Sequence, residues 1–118
     1  MKLLHITALD GAGLFGAAIK KQSEISKSGR GTFLRVGARR PKSARWNHVR
    51  YVGAIVLKAA PPSGLDVQIK SSDRGDETRL LSSFLGWLDR HFGDQLAAVN
   101  IEYRKPAAGR GRRATRKR

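Results

Sequence analysis

The sequence predicts an α+β protein, a two-layer sandwich in which two helices cover one face of a mainly antiparallel sheet. Two patterns carry this prediction. Leu65, Val67 and Ile69 alternate with polar residues, as in a strand that buries one face. Between residues 75 and 92, apolar side chains recur at helical spacing. The strand and helix patterns follow one another along the chain in the order β-α-β-β-β-α-β.

The first half of the chain predicts a strand, a helix and a second strand. The first strand covers residues 2–9. A helix follows at roughly residues 12–27, where apolar residues again recur at helical spacing. The second strand covers residues 32–38, and a basic loop at 39–45 leads into the second half.

The second half predicts a β-hairpin, a helix and a last strand. Strands at residues 46–59 and 65–71 flank a turn at 61–64 that contains two prolines and a glycine. Asp73, Asp76 and Glu77, at the start of the helix at 75–92, supply the negative charge that stabilises a helix N-terminus. Its apolar stripe predicts a buried face, and residues 97–104 form the last strand. The stripe consists of Leu80, Leu81, Phe84, Leu85, Leu88 and Phe92, of which Leu81, Phe84, Leu85 and Leu88 are expected to be buried against the sheet.

This order of elements favours a ferredoxin-like sheet with one extra strand. We expect residues 1–104 to form a single α+β domain, because a chain of this length can bury a core of its own. Residues 105–118 contain no large apolar side chain, so we expect a disordered basic tail.

The charge distribution points to a polyanionic partner. The net charge is +15. Residues 20–50 carry ten Lys and Arg against a single acid, Glu24, and residues 105–118 carry seven with no acid. Residues 51–104 are nearly balanced. A charge concentrated in one block and one tail indicates nucleic acid, DNA or RNA.

The composition also excludes some classes of site and partner. The chain has no cysteine, which excludes disulfides and thiolate metal sites. No apolar run approaches the length of a membrane-spanning helix, and no amphipathic helix accompanies the basic tail. We therefore expect no membrane partner and a cytoplasmic location.

The central basic block predicts a nucleic-acid-binding surface. Cations bind the phosphates, and an interleaved aromatic residue, Trp46, stacks on a base. The predicted binding residues of this block are Lys20, Lys21, Lys27, Arg30, Arg35, Arg39, Arg40, Lys42, Arg45, Trp46 and Arg50. The tail adds Arg110, Arg112, Arg113, Arg116, Lys117 and Arg118.

A second hypothesis is a metal-dependent nuclease. Asp66, Gln68 and Lys70 share one strand face, and Asp10 ends the first strand. If the two strands are neighbours, Asp10 and Asp66 could hold Mg²⁺, which prefers oxygen ligands, while Lys70 steadies the attacking water. The alternative interpretation of Asp66, Gln68 and Lys70 is the solvated face of an ordinary strand.

Two family resemblances accompany this hypothesis. The α-β-β-β-α-β run, with Gln68-Ile69-Lys70 on its third strand, resembles the PD-(D/E)xK nuclease core. That resemblance implies Mg²⁺ chemistry, with Asp10 taking the place of the family's aspartate. The position of Asp10 after the first strand also resembles small ferredoxin-like CRISPR-associated endoribonucleases.

A third hypothesis is a non-enzymatic adaptor protein. Phe84, Trp87 and His91 lie on adjoining rows of the helix at 75–92, and together they exceed what one sheet is expected to cover. This excess indicates a homodimer through that helix, with the basic tail as a solubility element.

Overall fold

The computed structural model describes residues 1–9, 13–38 and 40–104. Their backbone forms a six-stranded antiparallel sheet and two α-helices, which confirms the predicted α+β class. A short 3₁₀ turn, Gly93–Gln95, precedes the last strand, and the predicted tail lies outside the described residues. The elements are β1 (Lys2–Ala8), α1 (Leu14–Lys27), β2 (Phe33–Val36), β3 (Ser43–His48), β4 (Ala54–Ala60), β5 (Gly64–Lys70), α2 (Arg74–Phe92) and β6 (Leu96–Tyr103).

The main difference from the sequence prediction lies at residues 46–59, where one predicted strand is replaced by parts of β3 and β4. Gly53, in the turn between them, has φ +137°. A Cβ at Gly53 would lie 2.3 Å from the carbonyl oxygen of Lys70, so a side chain does not fit there. Val49 and Val52 favour a continuous strand by propensity, but they are 52% and 59% exposed in this turn. The order is therefore β-α-β-β-β-β-α-β.

The strands lie side by side in the order β2-β3-β4-β5-β1-β6, and every neighbouring pair is antiparallel. β1 is therefore an interior strand, with β5 on one side and β6 on the other. The set β4-β5-β1-β6 with the two helices has the β-α-β-β-α-β connectivity of a ferredoxin-like fold. β2 and β3 extend this core beyond β4, so two strands are added to it where the sequence predicts one.

Both helices pack on the same face of the sheet. Leu65, Val67 and Ile69 of β5 are buried in one core cluster with residues of α1 and α2, which confirms the predicted alternation. Their neighbours on β1, Leu4 and Ile6, point the same way and are also buried. The polar residues between them therefore lie on the opposite face, because successive strand residues alternate.

α2 has the predicted ends and nearly the predicted buried face. The Asp73 side chain caps it by accepting a hydrogen bond from the backbone N–H of Asp76 at 2.9 Å. Leu81, Phe84 and Leu88 are buried as predicted, whereas Leu85 is only partly buried against the core. Trp87, beside the apolar stripe, is also buried in the core. Neither helix of the described residues is long and apolar enough to cross a membrane.

The aromatic side chains of α2 have partners in the sheet. Phe84 and Trp87 pack with Phe33 of β2 and Trp46 of β3, and the Trp46 and Trp87 ring centroids are 5.3 Å apart. Phe84 and Trp87, which the sequence analysis assigned to a dimer interface, are thus buried against β2 and β3, the two strands added to the ferredoxin-like core. The homodimer itself stays a prediction.

Candidate nucleic-acid interface

A groove runs between α1 and the connection from β2 to β3. Its volume is about 720 Å³. Phe15, Ile19 and Pro41 are the large apolar residues of its lining, here called the apolar floor, and Lys20, Lys27 and Arg40 line the same groove. The described residues that line it are Phe15, Gly16, Ile19, Lys20, Ser23, Glu24, Lys27, Arg40 and Pro41.

The orientation of α1 places these cations at the surface. Leu14, Ala18 and Gln22 are its buried residues, spaced by four along one helical face. Lys20 and Lys27 project from other faces and are exposed. The N-terminal end of the helix is held by a hydrogen bond from the Leu14 backbone N–H to the Ser63 carbonyl at 3.1 Å.

A smaller depression continues the basic surface around the end of the β2–β3 hairpin. Arg35, Arg40 and Arg45 all line it. Alternation along β3 sends Arg45 to the open face, since it pairs with Val36 and Val56. The three arginines therefore link the groove on the helix side to the opposite face of the sheet.

The groove keeps most of its positive charge unneutralised. Among the described residues, Glu24 is the one acid lining it, and its carboxylate lies 3.8 Å from Lys21 Nζ. Within residues 1–9, 13–38 and 40–104, no carboxylate lies at salt-bridge distance from Lys20, Lys27 or Arg40. Such cations attract a polyanion, because the described lining holds three of them against one carboxylate, that of Glu24.

The remaining predicted cations are spread over other surfaces. Lys42 lines an adjoining cavity of about 430 Å³ beside the 61–64 turn. Lys21 faces the C-terminal half of α2, where burial and then the charges of Lys21 and Arg90 lower the pKa of His91. Two more lie at the other end of the sheet: Arg30 after α1 and Arg50 in the turn between β3 and β4. Arg39 and the six predicted tail residues lie outside the described residues.

The structure corrects the prediction for Trp46. Its side chain has 0% exposure, and its ring lies 5.7 Å from that of Phe33. Trp46 therefore cannot stack on a base in this fold. The reason is strand register: because Arg45 faces outward, its neighbour Trp46 faces the core.

Phe15 is the aromatic residue beside the cations, and the sequence interpretation missed it. It is partly buried, packs against the core and lines the groove. Helical spacing could have identified it: Phe15 and Ile19 form a row next to the buried row of Leu14 and Ala18, at the edge of the buried face of α1.

The second predicted cluster lies on the open face of the sheet. Asp66, Gln68 and Lys70 share that face, as predicted, and β1 and β5 are neighbours. Asp10 lies outside the described residues, so its approach to Asp66 and the Mg²⁺ hypothesis stay predictions. In the described part of the chain, no group of three or more histidines and carboxylates is arranged to hold a metal ion.

The structure adds His5 to this cluster. Its Nδ1 lies 3.0 Å from Asp66 Oδ1, and both side chains are 50% exposed. A concavity of about 200 Å³ lies beside the pair. Its lining is Leu3, Leu4, His5, Val56, Lys58, Asp66, Val67 and Gln68.

Fold and sites together define the class: an α+β protein with a basic groove on the helix side and a polar cluster on an open sheet face. No protein-family model, curated protein or solved structure matches the sequence.

Proposed function

We infer that the protein binds nucleic acid along the groove between α1 and the β2–β3 connection. The observation that carries this proposal is that the apolar floor and three cations, Lys20, Lys27 and Arg40, line one groove. Nucleic acid has the complementary chemistry, because its phosphates bind the cations and its flat bases pack on the apolar floor.

The apolar floor favours single strands over duplex. In a duplex the base faces are stacked on one another, so they cannot pack on Phe15 or Ile19. In a single strand they are free to do so, and each stacked base contributes roughly 1–3 kcal/mol. The lining residues that the structure describes include no side-chain amide, so we expect binding that tolerates most sequences.

The bound strand extends from the groove over Arg35 and Arg45 toward the open face of the sheet. These two arginines and Arg40 line one depression, which supports a continuous path for phosphates. The basic tail adds further electrostatic affinity without reading sequence. We also propose a cytoplasmic location, from the composition alone.

The test compares two double variants that remove the same charge. Lys27→Ala/Arg40→Ala alters the groove, whereas Arg74→Ala/Arg90→Ala removes two exposed cations from α2. Fluorescence anisotropy with labelled single strands measures the affinity of each. We expect the groove variant to lose affinity about tenfold or more, and its salt slope to fall by about two. The α2 variant should stay within about twofold of the wild type.

Equal losses in the two variants would overturn the proposal, because binding would then follow net charge rather than the groove. Circular dichroism of both variants checks that each keeps its fold.

A further inference from the structure

The open face of the sheet carries a chemical cluster that the groove does not use. Lys58, Asp66 and His5 lie in one cross-strand row of β4, β5 and β1. Gln68 lies in the next row, and all four line the same small concavity. His5 supplies an imidazole, Asp66 a carboxylate and Lys58 an ammonium group. Gln68 adds an amide, and the concavity between them has space for a ligand.

The hydrogen bonding orients His5 for proton transfer. Asp66 carries no proton to donate when ionised, so Nδ1–H of His5 donates to Oδ1 across the 3.0 Å contact. The lone pair of the neutral ring is then on Nε2. Nε2 lies 3.8 Å from Glu102 Oε2, whose other oxygen accepts from Arg104 Nε and Nη2 at 3.1 and 2.9 Å. Asp66 therefore holds both the tautomer and the ring orientation.

The neighbouring side chains suit a phosphodiester. Adjacent cross-strand pairs place the Cβ atoms of Lys58 and His5 about 10 Å apart, with Asp66 between them. A phosphate above Asp66 is thus within reach of the long Lys58 side chain from one side and of His5 from the other. Gln68 offers an N–H donor to a phosphoryl oxygen from the next row.

We propose that this cluster cleaves RNA by a transfer reaction that needs no metal ion. His5 Nε2 takes the proton of the ribose 2′-hydroxyl, and the 2′-oxygen attacks the adjacent phosphorus. The bond from phosphorus to the 5′-oxygen breaks, and that oxygen takes a proton from water. The resulting hydroxide removes the proton from His5, which restores the neutral ring. The products are a 2′,3′-cyclic phosphate and a 5′-hydroxyl.

The other groups have distinct roles in this reaction. The Lys58 ammonium offsets the charge that develops on the phosphoryl oxygens, and Gln68 donates a hydrogen bond to one of them. Asp66 touches no reacting atom and is a positioning residue. Cleavage of long RNA rests on the proposed function, because the groove and Arg45 would bind the strand and extend it to the open face. Cleavage of a dinucleotide does not depend on the groove.

The experiment uses the full chain, EDTA and two substrates. One is an RNA oligonucleotide, and the other is the dinucleoside monophosphate uridylyl-adenosine, which is too short to occupy both groove and open face. We expect both to be cleaved, with cyclic phosphate ends detected by mass spectrometry. DNA of the same sequence should stay intact, because it lacks the 2′-hydroxyl.

Variants then assign the roles. His5→Gln should lower turnover of the dinucleotide by about 10²–10⁴. Asn100→Ala, which changes the residue opposite His5 on β6, is the matched control and should leave turnover unchanged. Asp66→Asn should lower kcat with little change in KM, and Asp66→Glu should recover part of the loss. A merely structural role for Asp66 would predict equal losses in both Asp66 variants.

The outcomes separate this proposal from nucleic-acid binding in the groove. Absence of cleavage in EDTA, or cleavage that His5→Gln does not reduce, overturns the proposal even if anisotropy shows tight binding. Cleavage that depends on Mg²⁺ also overturns it. If instead the groove is wrong, the groove variant keeps its affinity for long strands while the dinucleotide is still cleaved.

Discussion

Gln22, in the middle of α1, donates a side-chain hydrogen bond to the main-chain carbonyl of Phe33 in β2 at 2.9 Å. Gln22 is one of two buried polar or charged residues among those described, and this bond gives its amide nitrogen a partner. Since α1 carries Lys20 and Lys27, while β2 leads into the connection with Arg40, the bond ties the two walls of the groove together.

The first prediction concerns this bond. Gln22→Ala leaves the Phe33 carbonyl without its partner, which costs about 1–3 kcal/mol of unfolding free energy. Urea unfolding followed by circular dichroism measures the loss. Ser26→Ala, one turn further along α1 and exposed, is the control and should stay within about 0.5 kcal/mol. Equal stability of Gln22→Ala and wild type would show that the bond does not hold α1 to β2.

A second prediction compares two glycines. Gly53→Ala combines a positive φ with a Cβ only 2.3 Å from a backbone oxygen, so it should destabilise the protein by more than about 2 kcal/mol. Gly86→Ala lies on the exposed side of α2, with nothing within 4 Å of the new Cβ, and should stabilise it by up to about 1 kcal/mol. Thermal unfolding of both variants is the measurement. A stable Gly53→Ala protein would contradict the break between β3 and β4.

The third prediction is a pH dependence that involves Glu77. Burial acts to raise the pKa of Glu77, but hydrogen bonds from Lys2 and the amino terminus, with their positive charges, outweigh it and leave that pKa below 4.5. A lowered carboxyl pKa stabilises the folded state above pH 4.5, and this contribution is lost as the pH falls through the folded value.

Glu77→Gln should therefore be less stable than the wild type at neutral pH, and the difference should shrink as the pH falls below 4.5. Urea unfolding of both proteins across this pH range measures it. A difference that is the same at every pH would show that the charge of Glu77 is not involved.

The fourth prediction concerns salt and the tail. Removing residues 106–118 takes away six cations, so the dependence of affinity on salt should become shallower. Binding itself should persist, because the groove cations remain. Anisotropy titrations between about 50 and 200 mM salt give both slopes. If the shortened protein no longer binds at the lowest salt, the folded domain is not the main binding surface.

Much of the architecture could be predicted from local patterns. The alternation of Leu65, Val67 and Ile69 predicts the buried face of β5. The same two-residue period places Asp66 and Gln68 on the opposite face. The apolar spacing and the acidic start predict α2 almost to its ends. These features follow from the chain itself, because the periods of strands and helices are set by the backbone over a few residues.

Other features depend on contacts between distant parts of the chain. The break at Gly53 is imposed by the approach of the Lys70 carbonyl, and the burial of Trp46 depends on the pairing of β3 with β4. His5 and Asp66 are 61 residues apart and meet only because β1 is inserted between β5 and β6. The sequence by itself thus determined the fold class, the charge and the polar face of β5. The tertiary structure decided which residues share a site, because cross-strand register is a property of the assembled sheet and not of any single strand.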